Sequence, residues 1–314
     1  MYNSPAIRGG TSHGIRRFLL RNWWFYAMLL PGLLYITIFN YVPMYGILIA
    51  FKDYSIFRGF SDSPWVGMEI FTKLFAQSGF RRALENNIII SLQKLIGGFP
   101  TPIILSLMLN EFRRAGLKKC VQTAIILPNF ISWIVINGLL FAIFSTRIGA
   151  FTGLLRSLGV ENVPDILADK NHFRLVILFS YLWRSGGYGT IIYLSAIAGI
   201  DQEQYESARI DGAGRFRCMR YITLPGLKQV SLVVTTLMFI WGFNNFDIIF
   251  LLTSGGPLNA TRSLSIYTYN LAFYRGRMGY SAAISLITFA LMIGFYGFYQ
   301  RALKTDERQA KLRV

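Results

Sequence analysis

Tyr205-Glu206-Ser207-Ala208-Arg209-Ile210-Asp211-Gly212-Ala213-Gly214, followed by Arg215 to Tyr221 and then Ile222-Thr223-Leu224-Pro225, is too polar to cross a membrane and too patterned for a plain linker. Asp201 is placed to cap a short helix running to about Ile210, with Glu203 and Glu206 after it, where acidic groups complement the helix dipole. Gly212 and Gly214 end that helix and let the chain turn. A second helix then leads to Pro225. The expected product is a small projecting helix-turn-helix, a shape suited to insertion in a partner's groove.

Outward from this segment the chain is apolar. Leu175 to Ile200 precedes it and Val230 to Leu252 follows it, and both runs are long enough to cross a hydrocarbon core. Four more runs of this kind are Trp23 to about Tyr41, Asn87 to Leu109, Val121 to Phe144 and Ser281 to Tyr299. The first opens with the interfacial aromatics Trp23, Trp24 and Tyr26 and stays apolar to Phe51. Its length, with no small-residue cleavage pattern after it, favours a retained anchor over a signal peptide. Composition agrees: 53% of the 314 residues are hydrophobic and 15% charged, where a soluble domain carries about 25% charged residues. The expected fold class is therefore an all-α integral membrane protein of about six transmembrane helices.

An even number of spans puts both termini on one side. The N-terminal tail, the 110–120 link, the 201–229 link and the C-terminal tail hold 18 Lys and Arg in 77 positions; the opposite segments hold 12 in 92. The positive-inside rule then makes both termini cytoplasmic in a multi-pass protein of the cell membrane. The expected organisation is a tail at 1–22, a transmembrane domain at 23–300 carrying the projecting loop at 201–226, and a tail at 301–314. Between the first two spans, Glu69 to Asn86 alternates at helical spacing, which suits either a helix on the outer membrane surface or one packed on the bundle.

The formal charge of +17 does not indicate nucleic acid, because the basic residues sit in short clusters between apolar runs, as membrane orientation requires. Cys120 and Cys218 both fall on the reducing cytoplasmic side, so no disulfide is expected. His13 and His172 are far apart, and no metal centre is expected. The chain has no Gly-x-x-x-x-Gly-Lys-Ser/Thr phosphate loop, and no His-Glu-x-x-His or Gly-x-Ser-x-Gly motif. It is not expected to be an enzyme.

Lys94, Arg184 and Asp247 fall inside apolar runs, where a charge is costly and usually faces a protein interior or an aqueous path. The fourth run carries Trp183-Arg184-Ser185-Gly186-Gly187-Tyr188-Gly189, whose glycines weaken or break a helix. The fifth carries Trp241-Gly242-Phe243-Asn244-Asn245-Phe246-Asp247. Aromatic rings beside amides and a carboxylate suit a sugar, with rings on its apolar face and polar groups on its hydroxyls. The candidate pathway residues are Trp183, Arg184, Ser185, Tyr188, Trp241, Asn244, Asn245 and Asp247; the competing reading is helix packing through small and amide residues.

The polar segment resembles the EAA loop of binding-protein-dependent ABC importer permeases: roughly Glu-Ala-Ala, Asp-Gly-Ala, then Ile-x-Leu-Pro. Glu206, Ala208, Asp211, Gly212, Ala213, Ile222, Leu224 and Pro225 fit it, and Ser207 stands for the usual first alanine. The likeness covers essentially the whole chain. Tyr41-Val42-Pro43-Met44-Tyr45-Gly46, Phe51-Lys52-Asp53-Tyr54, Asn245-Phe246-Asp247 and Leu251-Leu252-Thr253-Ser254-Gly255-Gly256-Pro257 are similar to the carbohydrate-importer (maltose-type) branch, and within it to LplB-type permeases of polysaccharide and oligosaccharide uptake.

The resemblance implies the type I ABC importer permease fold, with a cytoplasmic coupling helix ending near Gly212. It implies a second homologous permease subunit, two ATPase subunits that bind ATP and Mg, an extracytoplasmic solute-binding protein, and an oligosaccharide substrate. Glu206, Ser207, Ala208, Asp211, Gly212, Ala213, Leu224 and Pro225 would couple to the ATPases. Arg184, Ser185, Tyr188 and Asn245 match sugar-contact positions of the maltose-type relatives. Those relatives lack an arginine at Arg184, which opens an acidic sugar, such as a uronate-containing oligosaccharide, as substrate. An ion-coupled secondary transporter is the alternative; it would use Lys94, Arg184 and Asp247 and need no ATPase.

Overall fold

An apolar run in hydrocarbon has no water to satisfy its backbone, so it closes its hydrogen bonds within itself as a helix. The computed structural model describes residues 21–112, 114–160, 165–167, 169–243, 246–253 and 261–311. All regular elements in it are helical, and the sole β pairing among the described residues is an isolated antiparallel bridge between Lys52 and Trp65.

The order is α1 (Trp23–Phe51), α2 (Glu69–Ala76), α3 (Ser78–Asn110), α4 (Ala115–Phe130), α5 (Trp133–Phe144) and α6 (Ala150–Ser157). Then follow α7 (Lys170–Ala198), α8 (Gln202–Ile210), α9 (215–226), α10 (Lys228–Gly242), α11 (Asp247–Thr253), α12 (Leu264–Tyr269) and α13 (Met278–Lys311). Helix α1 carries Pro31 and turns its apolar side chains outward along most of its length; Ala50 is where it enters the bundle.

Several sequence expectations are refined here. Among the described residues four segments are long and apolar enough to cross a membrane: α1, α3, Lys228–Leu251 and Met278–Arg301. The expected third span is not one straight helix. Pro128 ends α4 in a tight turn, Ile131 is extended, and the Ser132 hydroxyl caps α5 by accepting from the Val135 N–H at 3.4 Å. The two pieces meet at 100°, and taken as one broken span they make a fifth crossing. Helix α7 has 29 residues, about 43 Å at 1.5 Å per residue. The expected break at its glycines does not occur. Helix α13 runs on past the last apolar run to Lys311.

Glu69 to Asn86 divides at Gln77, whose backbone is extended. Its first half, α2, packs Ile70 and Leu74 into a core with Ala50, Phe80, Ala83, Leu264, Tyr267, Leu271, Ala283 and Ile284. Its second half is the start of α3. Of the two arrangements weighed for this segment, packing on the bundle is the one adopted.

Two further apolar clusters fix the level of the site. Ile90 of α3 meets Phe173 and Ile177 of α7, Ile248 and Ile249 of α11 and Ile266 of α12. Further along α7, 16 residues beyond Ile177, Tyr193 packs with Ile197 on Leu227, which precedes α10, and Val234 within it. Side chains of α3, α7 and α10 around this level line a cavity.

Candidate functional site

Helix α7 can pass close to its neighbours because of its glycines. A Cβ on Gly187 would lie 2.1 Å from the Ile125 carbonyl oxygen of α4, and one on Gly189 would lie 2.9 Å from Cβ of Pro102 in α3. The small residues therefore seat α7 against α3 and α4, as the packing reading holds. At the same time Ser185, Gly186, Tyr188 and Gly189 face a cavity of about 410 Å³. Gly187 serves packing alone, whereas Gly189 both packs on Pro102 and lines the cavity, so the two readings hold together.

The cavity is walled by Lys94, Gly98 and Pro102 of α3, by Asn129 and Trp133 at the α4–α5 break, by α7 from Tyr181 to Ile192, and by Val234 to Trp241 of α10. The Arg184 Nε donates to the Ile131 carbonyl at 3.1 Å, at the point where the α4–α5 break removes a helical partner. Its guanidinium also lies 4.8 Å from the Trp133 ring centre. Non-helical backbone at membrane depth is tolerated where it is buried in protein or lines a cavity, and here it does both. The Lys94 ammonium lies 5.0 Å from the Tyr181 ring centre, within cation–π range.

Of the eight expected pathway residues, Arg184, Ser185, Tyr188 and Trp241 line this cavity. Trp183 does not; it precedes Arg184 by one position, so it points elsewhere around α7, and it is half-exposed. Asp247 is not on the wall either. It opens α11. Asn244 and Asn245 lie outside the described residues.

Lys94, Tyr181, Asn129 and Trp133 were not among the expected pathway residues. A signal for Lys94 was present, because Asn87, Ser91, Lys94 and Gly98 recur at helical spacing on one face of α3, and all four are buried. A polar stripe on an apolar helix marks the face turned to protein.

The second feature is the projecting segment. The Asp201 carboxylate accepts from the Glu203 N–H at 3.0 Å and caps α8. At the other end the Ala213 N–H donates to the Ala208 carbonyl at 2.8 Å and the Gly212 N–H to the Arg209 carbonyl at 3.0 Å. Gly212 sits between them at φ +77°, a Schellman closure that needs the left-handed backbone glycine adopts freely. Helix α9 folds back, and the Tyr205 and Thr223 hydroxyls hydrogen-bond at 2.9 Å.

Glu206, Ser207, Asp211, Gly212, Leu224 and Pro225 are exposed on this unit, while Ala208 and Ala213 are half-buried. Sequence reasoning overlooked three apolar side chains beside them: Ile210 is 88% exposed, Phe216 68% and Tyr221 71%. Such exposure on a small polar unit marks a surface built to be covered.

The family of the binding-protein-dependent transport system inner membrane component matches residues 98–304, which span the cavity helices and the projecting unit. This chain belongs to that family. The permease is 38% identical over 308 residues to protein LplB of Bacillus subtilis (strain 168), covering 97% of this chain and 96% of that one. It is 37% identical over 274 residues to the polygalacturonan/rhamnogalacturonan transport system permease protein YteP of the same organism, covering 87% and 85%. A chain in the crystal structure of a bacterial ABC transporter involved in the import of the acidic polysaccharide alginate superposes with a TM-score of 0.84 at 32% identity, covering 93% of this permease and 98% of that chain. The fold is that of type I ABC importer permeases.

Proposed function

We propose that this permease carries an oligosaccharide across the cell membrane through the mid-bundle cavity, as one of two membrane subunits of an ABC importer. The observation that supports this most is the joining of two features on one chain. A cavity with rings and polar groups on its wall is linked by α7 to an exposed helix-turn-helix that begins four residues after α7 ends. Motion of the projecting unit is thereby transmitted to the cavity wall.

Tyr188 and Trp241 line the cavity yet are half or more exposed. Its wall is incomplete in this chain, and a second permease subunit completes it. Two ATPase subunits bind ATP and Mg and receive α8, with Glu206, Ser207, Asp211 and Gly212 at the contact and Ile210 as its apolar anchor. Leu224 and Pro225 hold the returning helix, and Ala208 and Ala213 pack the turn. A solute-binding protein delivers the sugar from outside. Six crossings, with α7 as one of them, put both termini in the cytoplasm.

Ile210→Asp tests the docking directly. Full burial of an isoleucine is worth about 1.5–3 kcal/mol, so co-purification of the ATPase subunits with the solubilised complex should fall by at least tenfold, with the permease's own thermal transition unchanged. Full retention of the ATPases would remove α8 as the docking element. Transport that persists in a chain purified without any ATPase would favour the ion-coupled alternative.

A further inference from the structure

Two asparagines stand side by side on α3, and the fold treats them differently. Asn86 is buried with its amide paired: the oxygen accepts from the Arg174 guanidinium at 3.0 Å, and the nitrogen donates to the Arg262 carbonyl at 3.4 Å. Those bonds tie α3 to α7 and to the residue that precedes the cap of α12. Asn87 is 0% exposed, and neither its amide oxygen nor its amide nitrogen has a partner among the described residues. A buried amide without partners is costly, and a leucine of similar volume would not bear that cost.

The position of Asn87 indicates what its amide serves. Asn87, Ser91 and Lys94 recur at helical spacing on one face of α3, and Lys94 is on the cavity wall. Asn87 precedes Lys94 by two turns, about 10 Å along the axis. It lies on the side of the cavity away from the projecting unit, level with the early part of α7. Asn87 is thus in line with the cavity without lining it. Two contacts close the space between. The Ser91 hydroxyl donates to the Gly242 carbonyl at 3.0 Å and draws α3 against the end of α10. Ile90 packs on Phe173 and Ile177 of α7, Ile248 and Ile249 of α11 and Ile266 of α12, a plug made of apolar side chains alone.

We propose that Asn87 is a further sugar-contact residue, shut off from the cavity in this conformation by the apolar plug and opened to it when the plug parts to admit an oligosaccharide. This rests on the oligosaccharide-importer reading above. A carboxamide offers one acceptor and two donors, the complement of neighbouring sugar hydroxyls. In the parted state the amide gains the partners that closed packing denies it. A sugar entering from the side opposite the projecting unit meets Asn87 before it reaches Arg184, Tyr188 and Trp241.

The test compares the two asparagines in the complete complex. Asn86→Leu removes bonds made in the closed state and should lower the thermal transition by several degrees. Asn87→Leu removes none and should leave that transition unchanged or raise it. Its uptake of labelled oligosaccharide into liposomes should nevertheless fall about tenfold, as loss of one well-made hydrogen bond predicts. A lowered thermal transition in Asn87→Leu, or uptake equal to wild type, would overturn the assignment. Accessibility gives an independent reading. In a chain carrying Cys120→Ser and Cys218→Ser, Asn87→Cys should resist an impermeant methanethiosulfonate added outside the liposomes at rest. During turnover with ATP, solute-binding protein and oligosaccharide it should react about tenfold faster, as a group passing from a closed to an open state does. Equal rates in the two conditions would overturn the parting of the plug while leaving the importer intact. A wild-type complex that takes up no oligosaccharide would overturn the importer reading and this inference with it.

Discussion

Replacing Gly187 by alanine adds one methyl where α7 crosses the backbone of α4. That methyl would lie 2.1 Å from the Ile125 carbonyl oxygen, 2.6 Å from its carbon and 2.8 Å from Cα of Ile126. Ordinary contact begins at 3.4 Å, so α7 and α4 must part by about 1.3 Å there. All three atoms are backbone, and no rotamer change can absorb the clash. Overpacking of a well-filled interior costs about 1–3 kcal/mol, and a rigid neighbour puts this case at the upper end. The same displacement moves Ser185 and Tyr188 relative to α3, so the cavity changes shape as well. Gly186 and Gly189 supply the internal scale: a methyl at 186 meets the Thr101 side chain at an ordinary 3.4 Å, and one at 189 meets the Pro102 ring at 2.9 Å. Thermal unfolding of the solubilised complex, together with oligosaccharide-stimulated ATP hydrolysis, should rank the variants Gly187→Ala as most damaging, Gly189→Ala next and Gly186→Ala near wild type. Equal behaviour of Gly187→Ala and Gly186→Ala would refute the close crossing of α7 and α4.

Other outcomes follow from the projecting unit. Gly212→Val forces a β-branched residue to φ +77°, at a cost of about 1–2 kcal/mol; it should weaken ATPase co-purification while the transmembrane bundle keeps its helical circular dichroism. Asp201→Ala removes the cap on α8 and about 1 kcal/mol of helix stability, read as roughly fivefold faster amide hydrogen exchange in the first turn of α8. Glu111→Gln breaks the exposed ion pair to Arg215, whose 3.4 Å separation in water is worth less than about 1 kcal/mol; the thermal transition of the complex should not move measurably.

The features that local chemistry determines could be read from the chain alone. The cap at Asp201, the turn at Gly212 and the helix between them depend on residues a few positions apart, and the structure places them as expected. Run length likewise located the apolar helices. Direction was harder. Hydropathy over Val121 to Phe144 cannot register a 100° bend, although Leu127-Pro128-Asn129 followed by Ser132 held both the stop and the new cap. The glycines of α7 pointed two ways because the neighbours of each one decide what it does. Gly187 faces α4, while Ser185 and Tyr188 face the cavity. Lys94 was noticed as a charge at membrane depth, but only the packing of α3 against α7 puts it on the same wall as Arg184. Ile210 was passed over because one isoleucine in a polar helix has no meaning until its exposure is known.

The central claim is that this permease moves an oligosaccharide inward through its cavity at the expense of ATP hydrolysed by partner subunits. The most direct measurement is uptake of labelled oligosaccharide into liposomes that hold this permease co-expressed with its chromosomal neighbours, with ATP inside and solute-binding protein outside. Accumulation should require both, fail without the ATPase subunits, and fall when Ser185→Trp blocks the cavity. Accumulation by the permease alone, driven by an imposed ion gradient without ATP, would contradict the claim.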